Sequence, residues 1–119
     1  AVLGLSFKPD TDDMRDAPSV AIITALIKLG ARIQAYDPVA IENAKTVLPS
    51  GIVYAKDAYG AVEGANAVVV VTEWNEFRQL DLVRIAKGLK ERVIFDGRNV
   101  YEPSKVKSLG FMYYGVGRM

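Results

Sequence analysis

The feature of this sequence that most constrains its fold is a regular alternation of short, continuous apolar runs with longer amphipathic segments. The segment 67–71, which ends in four consecutive valines, has the length of a strand and contains no polar residue. Such a run is typical of a strand that is buried on both faces, as in a parallel sheet covered by helices on each side. The alternation therefore predicts an α/β protein.

The same alternation predicts five or six strands separated by helices. We expect strands at about 1–5, 32–36, 52–54, 67–71, 92–95 and 111–114, and helices at about 17–29, 41–47, 57–62, 75–80, 82–89 and 103–109. Right-handed crossovers make the expected strand order 3-2-1-4-5, with the last strand beyond the fifth. Asp16 is expected to cap the first helix and Gly30 to end it. The predicted fold is a three-layer αβα Rossmann-like sandwich with a mainly parallel sheet.

The composition excludes several classes of function. The chain has 119 residues, which is enough for one domain with a substantial core. Its formal net charge of +1 argues against a nucleic-acid partner, and no apolar run approaches the roughly 20 residues of a membrane span. The chain contains no Cys and no His, which excludes thiolate nucleophiles, imidazole catalysis and Cys/His metal sites. No metal site is predicted, and the absence of disulfides fits a cytoplasmic location.

Three polar clusters follow the first, fourth and fifth predicted strands, at the edge where open α/β sheets bind ligands. The clusters are Phe7-Lys8, Thr72-Glu73-Trp74 and Asp96-Gly97-Arg98. They are distant in the sequence, and the predicted fold brings them together near a crevice between the first and fourth strands. Lys8 and Arg98 suggest an anionic ligand such as a phosphate, because Lys supplies a point charge and Arg can grip two oxygens. The sequence leaves equally open that Lys8 is solvated and that Arg98 pairs with a carboxylate.

Other polar and aromatic residues are weaker candidates for ligand binding. Arg15 lies among four aspartates, and this spacing favours a local ion-pair cluster over a ligand site. Asp37 ends the second strand, where dinucleotide-binding folds place a ribose-binding acid, but the glycine-rich turn that accompanies such an acid is missing. Trp74 and the pair Tyr113-Tyr114 could stack on a base, although packing is the commoner role of buried aromatic residues.

Five stretches of the chain match the pattern of one family in order: GLSFKPDTDDMRDAPS, AYDPVA, VVVTEWNEF, IFDGRN and GFMYYGVGR. They resemble the C-terminal, UDP-binding domain of UDP-glucose 6-dehydrogenases, in the UDP-glucose/GDP-mannose dehydrogenase family. The resemblance implies an enzyme with an NAD-binding N-terminal domain, a central helical domain that forms the homodimer, and this domain. Such an enzyme oxidises the C6 alcohol of UDP-glucose to a carboxylate in two NAD-dependent steps, through a Cys thioester.

By the same resemblance, Phe7, Lys8 and Arg98 contact the UDP-sugar, and Arg15 reaches across the domain boundary to NAD. The chain begins without Met, inside a predicted strand, so residues 1–119 are expected to be one domain of a longer enzyme. The catalytic Cys belongs to the other domains, so no catalytic residue is expected here and the chain alone is expected to be inactive. The alternatives are a domain of a related UDP-N-acetyl sugar or GDP-mannose dehydrogenase, a stand-alone NAD-binding domain, and a scaffold without a ligand.

Overall fold

The fold is a six-stranded parallel sheet with helices on both faces, in a computed structural model that describes residues 1–117. The strands are β1 (Val2–Leu3), β2 (Gln34–Tyr36), β3 (Val53–Tyr54), β4 (Val68–Val70), β5 (Val93–Asp96) and β6 (Met112–Gly115). The helices are α1 (Pro18–Lys28), α2 (Ile41–Lys45), α3 (Ala58–Val62), α4 (Asn75–Arg78), α5 (Leu82–Gly88) and α6 (Pro103–Ser108). The last of the five family-like stretches ends at position 118, outside the described residues.

The strand order is β3-β2-β1-β4-β5-β6, and each neighbouring pair is parallel. This order confirms both the predicted α/β class and the predicted position of the last strand beyond the fifth. After β1 the chain adds β2 and β3 on one side of it, and then returns to add β4, β5 and β6 on the other side. The point where the strand order reverses therefore lies between β1 and β4. The carboxyl ends of β1, β4 and β5, which carry the three polar clusters, lie side by side along one edge of the sheet.

Two buried clusters of apolar side chains, one on each face of the sheet, form the core. On one face, α1 and α2 pack around side chains that include Val2, Leu5, Ile23, Ala35 and Ala44. On the other face, α3 to α6 pack around side chains that include Leu3, Val70, Phe77, Ile85, Ile94 and Val106. Adjacent residues of β1 enter different clusters because successive side chains of a strand point to opposite faces. The continuous apolar runs of the sequence therefore have the two-sided burial that they predict.

The face of β5 and β6 that lies on the side of α1 carries exposed apolar side chains. Right-handed crossovers place α3 to α6 on the opposite face, so these helices cannot cover it. Phe95 and Tyr114 lie opposite each other in register, and their stacked rings have centroids 5.0 Å apart. Met112, on the same face, is also exposed. The uncovered face follows directly from the topology of the sheet.

Helix α1 begins one residue later than predicted, and Asp16 is not its N-cap. The N-cap position is Ala17, which makes no side-chain capping hydrogen bond, while Asp16 has a φ of 56°. Pro18 in the first turn lessens the need for a cap because it has no N–H to satisfy. The predicted end is confirmed: Gly30 has a φ of 93°, and its N–H donates to the carbonyl of Ile27 at 2.9 Å.

Strand β1 is shorter than predicted because the chain changes direction at Gly4, which has a φ of 94°. The next two backbone N–H groups, of Leu5 and Ser6, donate to the side chain of Asp37 instead of to a neighbouring strand. Gly4 also touches the end of β4 so closely that a β-carbon there would lie 2.5 Å from Cβ of Thr72. Within residues 1–117, the longest helix has 11 residues, and no helix is long and apolar enough to cross a membrane.

Candidate functional site

The carboxyl ends of β4 and β5 carry a contact between Glu73 and Arg98. The Nε of Arg98 donates to Oε2 of Glu73 at 2.7 Å, and the two side chains are 40% and 25% exposed, respectively. The hydrogen bond from Arg98 holds the pKa of Glu73 below its usual value. Arg98 is therefore paired with a carboxylate, which is one of the two possibilities that the sequence left open. The contact leaves the two terminal nitrogens of the guanidinium without a recorded hydrogen bond to any residue in 1–117.

The turn that carries Arg98 is fixed by the buried carboxylate of Asp96 at the end of β5. This carboxylate accepts hydrogen bonds from the backbone N–H groups of residues 98, 100 and 101 and from the hydroxyl of Tyr113. The N–H of Gly97 donates to the carbonyl of Val70 in β4 at 2.9 Å. A β-carbon on Gly97 would lie 2.8 Å from that carbonyl oxygen, so only glycine fits this close approach. Arg98 therefore projects from a turn docked on both neighbouring strands.

A second buried carboxylate, that of Asp37, organises the edge around β1 and β2. Its Oδ2 accepts hydrogen bonds from the N–H groups of Leu5 and Ser6, the Ser6 hydroxyl and the Trp74 indole. Its Oδ1 accepts from the N–H groups of residues 39 and 40, at 2.9 and 2.8 Å. With only 2% of its surface exposed, Asp37 is a structural acceptor and has no oxygen free for a ribose hydroxyl. Trp74 is likewise a buried packing residue and not a stacking platform.

The loop after β1 presents Phe7 and Lys8 at the surface. The hydroxyl of Thr72 donates to the carbonyl of Ser6 at 2.7 Å. The single proton of the Ser6 hydroxyl is shared between the carbonyl of Lys8, at 2.9 Å, and Oδ2 of Asp37, at 3.2 Å. The ring of Phe7 is 47% exposed although its N–H is bound to the carbonyl of Asp13. Among residues 1–117, the ammonium of Lys8 makes no recorded hydrogen bond or ion pair. Both residues stand on a backbone anchored to β4, with side chains available to a ligand.

Arg15 forms the local ion pair that its spacing favours. Its Nε and Nη2 donate to the carboxylate of Asp13, with Nη2 to Oδ2 at 2.9 Å. The contact lowers the pKa of Asp13 to about 2 and raises the pKa of Arg15. The side chain of Arg15 is 89% exposed and lines a cleft of about 520 Å³ between the acidic loop and α2. This cleft is separate from the one that contains Arg98.

The cleft beside Arg98 has a volume of about 310 Å³ and lies between α1 and the carboxyl ends of β5 and β6. Its walls include Ile22 of α1, the stacked rings of Phe95 and Tyr114, and the turn at Gly97 and Arg98. Phe7 and Lys8 are not part of its lining. The structure thus places the three polar clusters along one edge, and among their side chains the hydrogen bond between different clusters is that of Arg98 to Glu73.

Two roles at this edge were not predicted from the sequence: Glu73 as the partner of Arg98, and Tyr113 as a donor to Asp96. Glu73 precedes the buried Trp74, and Tyr113 lies in register with Ile94 of β5. Both roles depend on which strands are neighbours, so the only signal available was the expected strand order. Within residues 1–117, no group of three or more Asp and Glu side chains is arranged to hold a metal ion.

The fold, together with Lys8 and Arg98 at the carboxyl edge of the sheet, defines a Rossmann-like domain with accessible cations where such sheets bind ligands. A sequence profile of the UDP-glucose/GDP-mannose dehydrogenase family, UDP binding domain, matches residues 1–103, and the chain belongs to that family. A UDP-glucose 6-dehydrogenase of Rhizobium meliloti is 48% identical over 118 residues. This match covers 99% of the chain but 27% of that protein, so the chain spans about a quarter of the length of its curated relatives.

Solved structures of related dehydrogenases share the fold. A UDP-glucose dehydrogenase of Pyrobaculum islandicum has a TM-score of 0.81 and 33% identity, covering 99% of the chain and 25% of that structure. An NDP-N-acetyl-D-galactosaminuronic acid dehydrogenase of Methanosarcina mazei has a TM-score of 0.84 and 32% identity, covering 99% and 24%. These neighbours differ in the sugar that their names specify, so the fold alone does not select a sugar.

Proposed function

We propose that this chain is the C-terminal, UDP-binding domain of an NAD-dependent UDP-glucose 6-dehydrogenase, a cytoplasmic enzyme that oxidises UDP-glucose to UDP-glucuronate in two steps. The observation that carries the proposal is the docked turn at Arg98, whose guanidinium is held at Nε by Glu73 while its two terminal nitrogens make no hydrogen bond to the residues that the structure describes. Family membership supports the assignment of UDP to this edge. The choice of glucose rests on curated relatives such as the Rhizobium enzyme.

In this proposal, Arg98 and Lys8 bind the diphosphate, and Phe7 contacts the UDP-sugar from the same loop as Lys8. Both cations suit a diphosphate, because Arg can contact two oxygens at once while Lys provides a mobile point charge. Phe7 offers an exposed apolar ring next to that charge. The buried Asp37 and Asp96 hold these loops in place without contacting the ligand.

NAD supplies the oxidising power of such an enzyme, and in this domain only Arg15 is proposed to touch it. The guanidinium of Arg15 is exposed and cationic, which fits an anionic group of a dinucleotide presented by a neighbouring domain. Asp37 does not fit a ribose-binding role, because its two oxygens already accept six hydrogen bonds. The chain contains no Cys, so the thioester-forming residue must come from the rest of the proposed homodimeric enzyme.

The test is an NMR titration of the chain with UDP, with NAD titrated in parallel, because chemical shifts detect weak binding. We expect saturable UDP binding that perturbs the edge around Lys8 and Arg98, and no turnover of NAD with UDP-glucose. The double variant Lys8→Ala, Arg98→Ala should abolish UDP binding. A matched control, Arg32→Ala, Lys107→Ala, removes the same charge from exposed positions away from this edge and should leave UDP binding unchanged.

Three outcomes would contradict the proposal. UDP binding that persists in the Lys8, Arg98 variant would show that the site lies elsewhere. NAD binding without UDP binding would favour a dinucleotide-binding domain. Reduction of NAD by the purified chain in the presence of UDP-glucose would show that the chain is a complete catalyst.

A further inference from the structure

Glu73 is a carboxylate in contact with the cation that is proposed to bind an anion. In principle it could weaken binding, by occupying Arg98 and repelling a diphosphate, or strengthen binding, by orienting the guanidinium. The geometry distinguishes the two roles. The contact uses Nε, the nitrogen closest to the Arg98 main chain, and only one carboxylate oxygen.

A hydrogen bond at Nε fixes the plane of the guanidinium without consuming the groups best placed for a two-oxygen contact. The guanidinium is planar and carries five N–H donors, of which four belong to the two terminal nitrogens. The bond to Glu73 takes the fifth. Because the group is rigid, fixing Nε also fixes the position of both terminal nitrogens, and it leaves the outer edge that they form together, at the tip of the side chain, open to a ligand.

The two side chains approach each other from separately fixed backbones. Glu73 directly follows Thr72, whose hydroxyl is bonded to the carbonyl of Ser6, and precedes Trp74, whose indole is bonded to Asp37. Arg98 leaves the turn that Asp96 and the close approach of Gly97 hold against β4. A surface ion pair between mobile chains contributes little, but here both main-chain ends of the pair are anchored.

We propose that Glu73 is a positioning residue that holds the guanidinium of Arg98 in one orientation, with the outer edge formed by its two terminal nitrogens open to bind the diphosphate. The inference rests on the proposed function and adds to it the residue that prepares the anion-binding group. Without Glu73, the half-exposed Arg98 side chain would sample several rotamers, and UDP binding would have to order it. Pre-ordering of this kind strengthens binding by reducing the entropy lost on association.

The test compares Glu73→Ala with Glu73→Gln. The Gln carbonyl oxygen still accepts a hydrogen bond from Nε but carries no charge, whereas Ala removes the acceptor altogether. Positioning predicts that Glu73→Ala weakens UDP binding by about three- to tenfold, from the restored side-chain freedom, while Glu73→Gln stays within about twofold of the unchanged chain. Binding of uridine, which lacks phosphate, should not change in either variant. In an Arg98→Ala background, Glu73→Ala should have no further effect.

A second measurement follows the Nε–H group of Arg98 directly by ¹⁵N NMR in the chain without UDP. The signal is assigned by its loss in Arg98→Ala. It should show restricted motion in the unchanged chain and in Glu73→Gln, and increased motion in Glu73→Ala.

The outcomes separate this inference from the proposed function. If the unchanged chain does not bind UDP, the proposed function fails and this inference fails with it. If the unchanged chain binds UDP but Glu73→Ala binds it equally well or more tightly, the proposed function stands and the positioning role is refuted. A loss of uridine binding together with UDP binding in Glu73→Ala would also refute it, because that result indicates general structural damage.

Discussion

Replacing Asp37 by Asn tests whether this buried residue is structural. The carboxylate accepts six hydrogen bonds, four at Oδ2 and two at Oδ1, and joins the ends of β1, β2 and β4. Asn preserves the shape of the side chain but replaces one acceptor oxygen with an NH₂ group, which is itself a donor. Whichever way the amide is turned, at least two N–H groups then face a donor in place of an acceptor.

The cost follows from the number of donors that lose their acceptor. A buried donor left without an acceptor costs about 1–3 kcal/mol, so two of them predict a loss of roughly 3 kcal/mol in the free energy of unfolding. For a chain of 119 residues, an unfolding entropy of about 2.1 cal/mol/K per residue converts each kcal/mol into about 4 °C of melting temperature. The Asp37→Asn variant should therefore melt about 12 °C below the unchanged chain.

The assay is thermal and urea unfolding of the unchanged chain, Asp37→Asn and the matched control Asp81→Asn. Asp81 caps α5 by accepting from two N–H groups, and Asn caps a helix as well as Asp does, so the control should stay within about 0.5 kcal/mol. The reasoning is refuted if Asp37→Asn is as stable as the control. If such a stable variant also lost nucleotide binding, Asp37 would be a ligand-binding acid after all.

One further change tests the packing of the strand edge. Gly97→Ala should lower the stability by about 1–3 kcal/mol and weaken UDP binding, because its β-carbon would lie 2.8 Å from the carbonyl oxygen of Val70. A melting temperature within about 2 °C of the unchanged chain would contradict this expectation.

Much of the fold could be predicted from the sequence because it depends on patterns that are local. The apolar runs marked the six strands, and Gly30 marked the end of α1. The start of α1 was predicted incorrectly, because an Asp just before a helix is the usual sign of an N-cap. Asp16 instead adopts a positive φ, and the cap position falls on Ala17. Which of these applies depends on how the preceding loop packs, and no local pattern reports that.

The candidate site was less predictable, because its contacts join residues from different strands. The sequence placed Arg98 at this edge but could not choose between an ion pair with a carboxylate and a ligand contact. The structure shows that the ion pair with Glu73 leaves the terminal nitrogens of Arg98 available for a ligand, because the pair uses only Nε. For Asp37, the sequence could not distinguish a ligand-binding residue from a structural one. An acid at the end of a strand has the same sequence pattern whether it binds a ribose or holds neighbouring loops together.

The edge proposed to bind an anion is rich in carboxylates, and their arrangement explains how both can be true. Asp37 and Asp96 are buried, and their oxygens accept hydrogen bonds from backbone and side-chain donors that converge on them. Their negative charge is therefore compensated within the protein. Glu73 is matched by Arg98 at Nε, and Lys8 stands exposed next to this edge. The preference for an anion thus depends on which charged groups remain accessible, and a simple count of acids and bases in the sequence could not have revealed it.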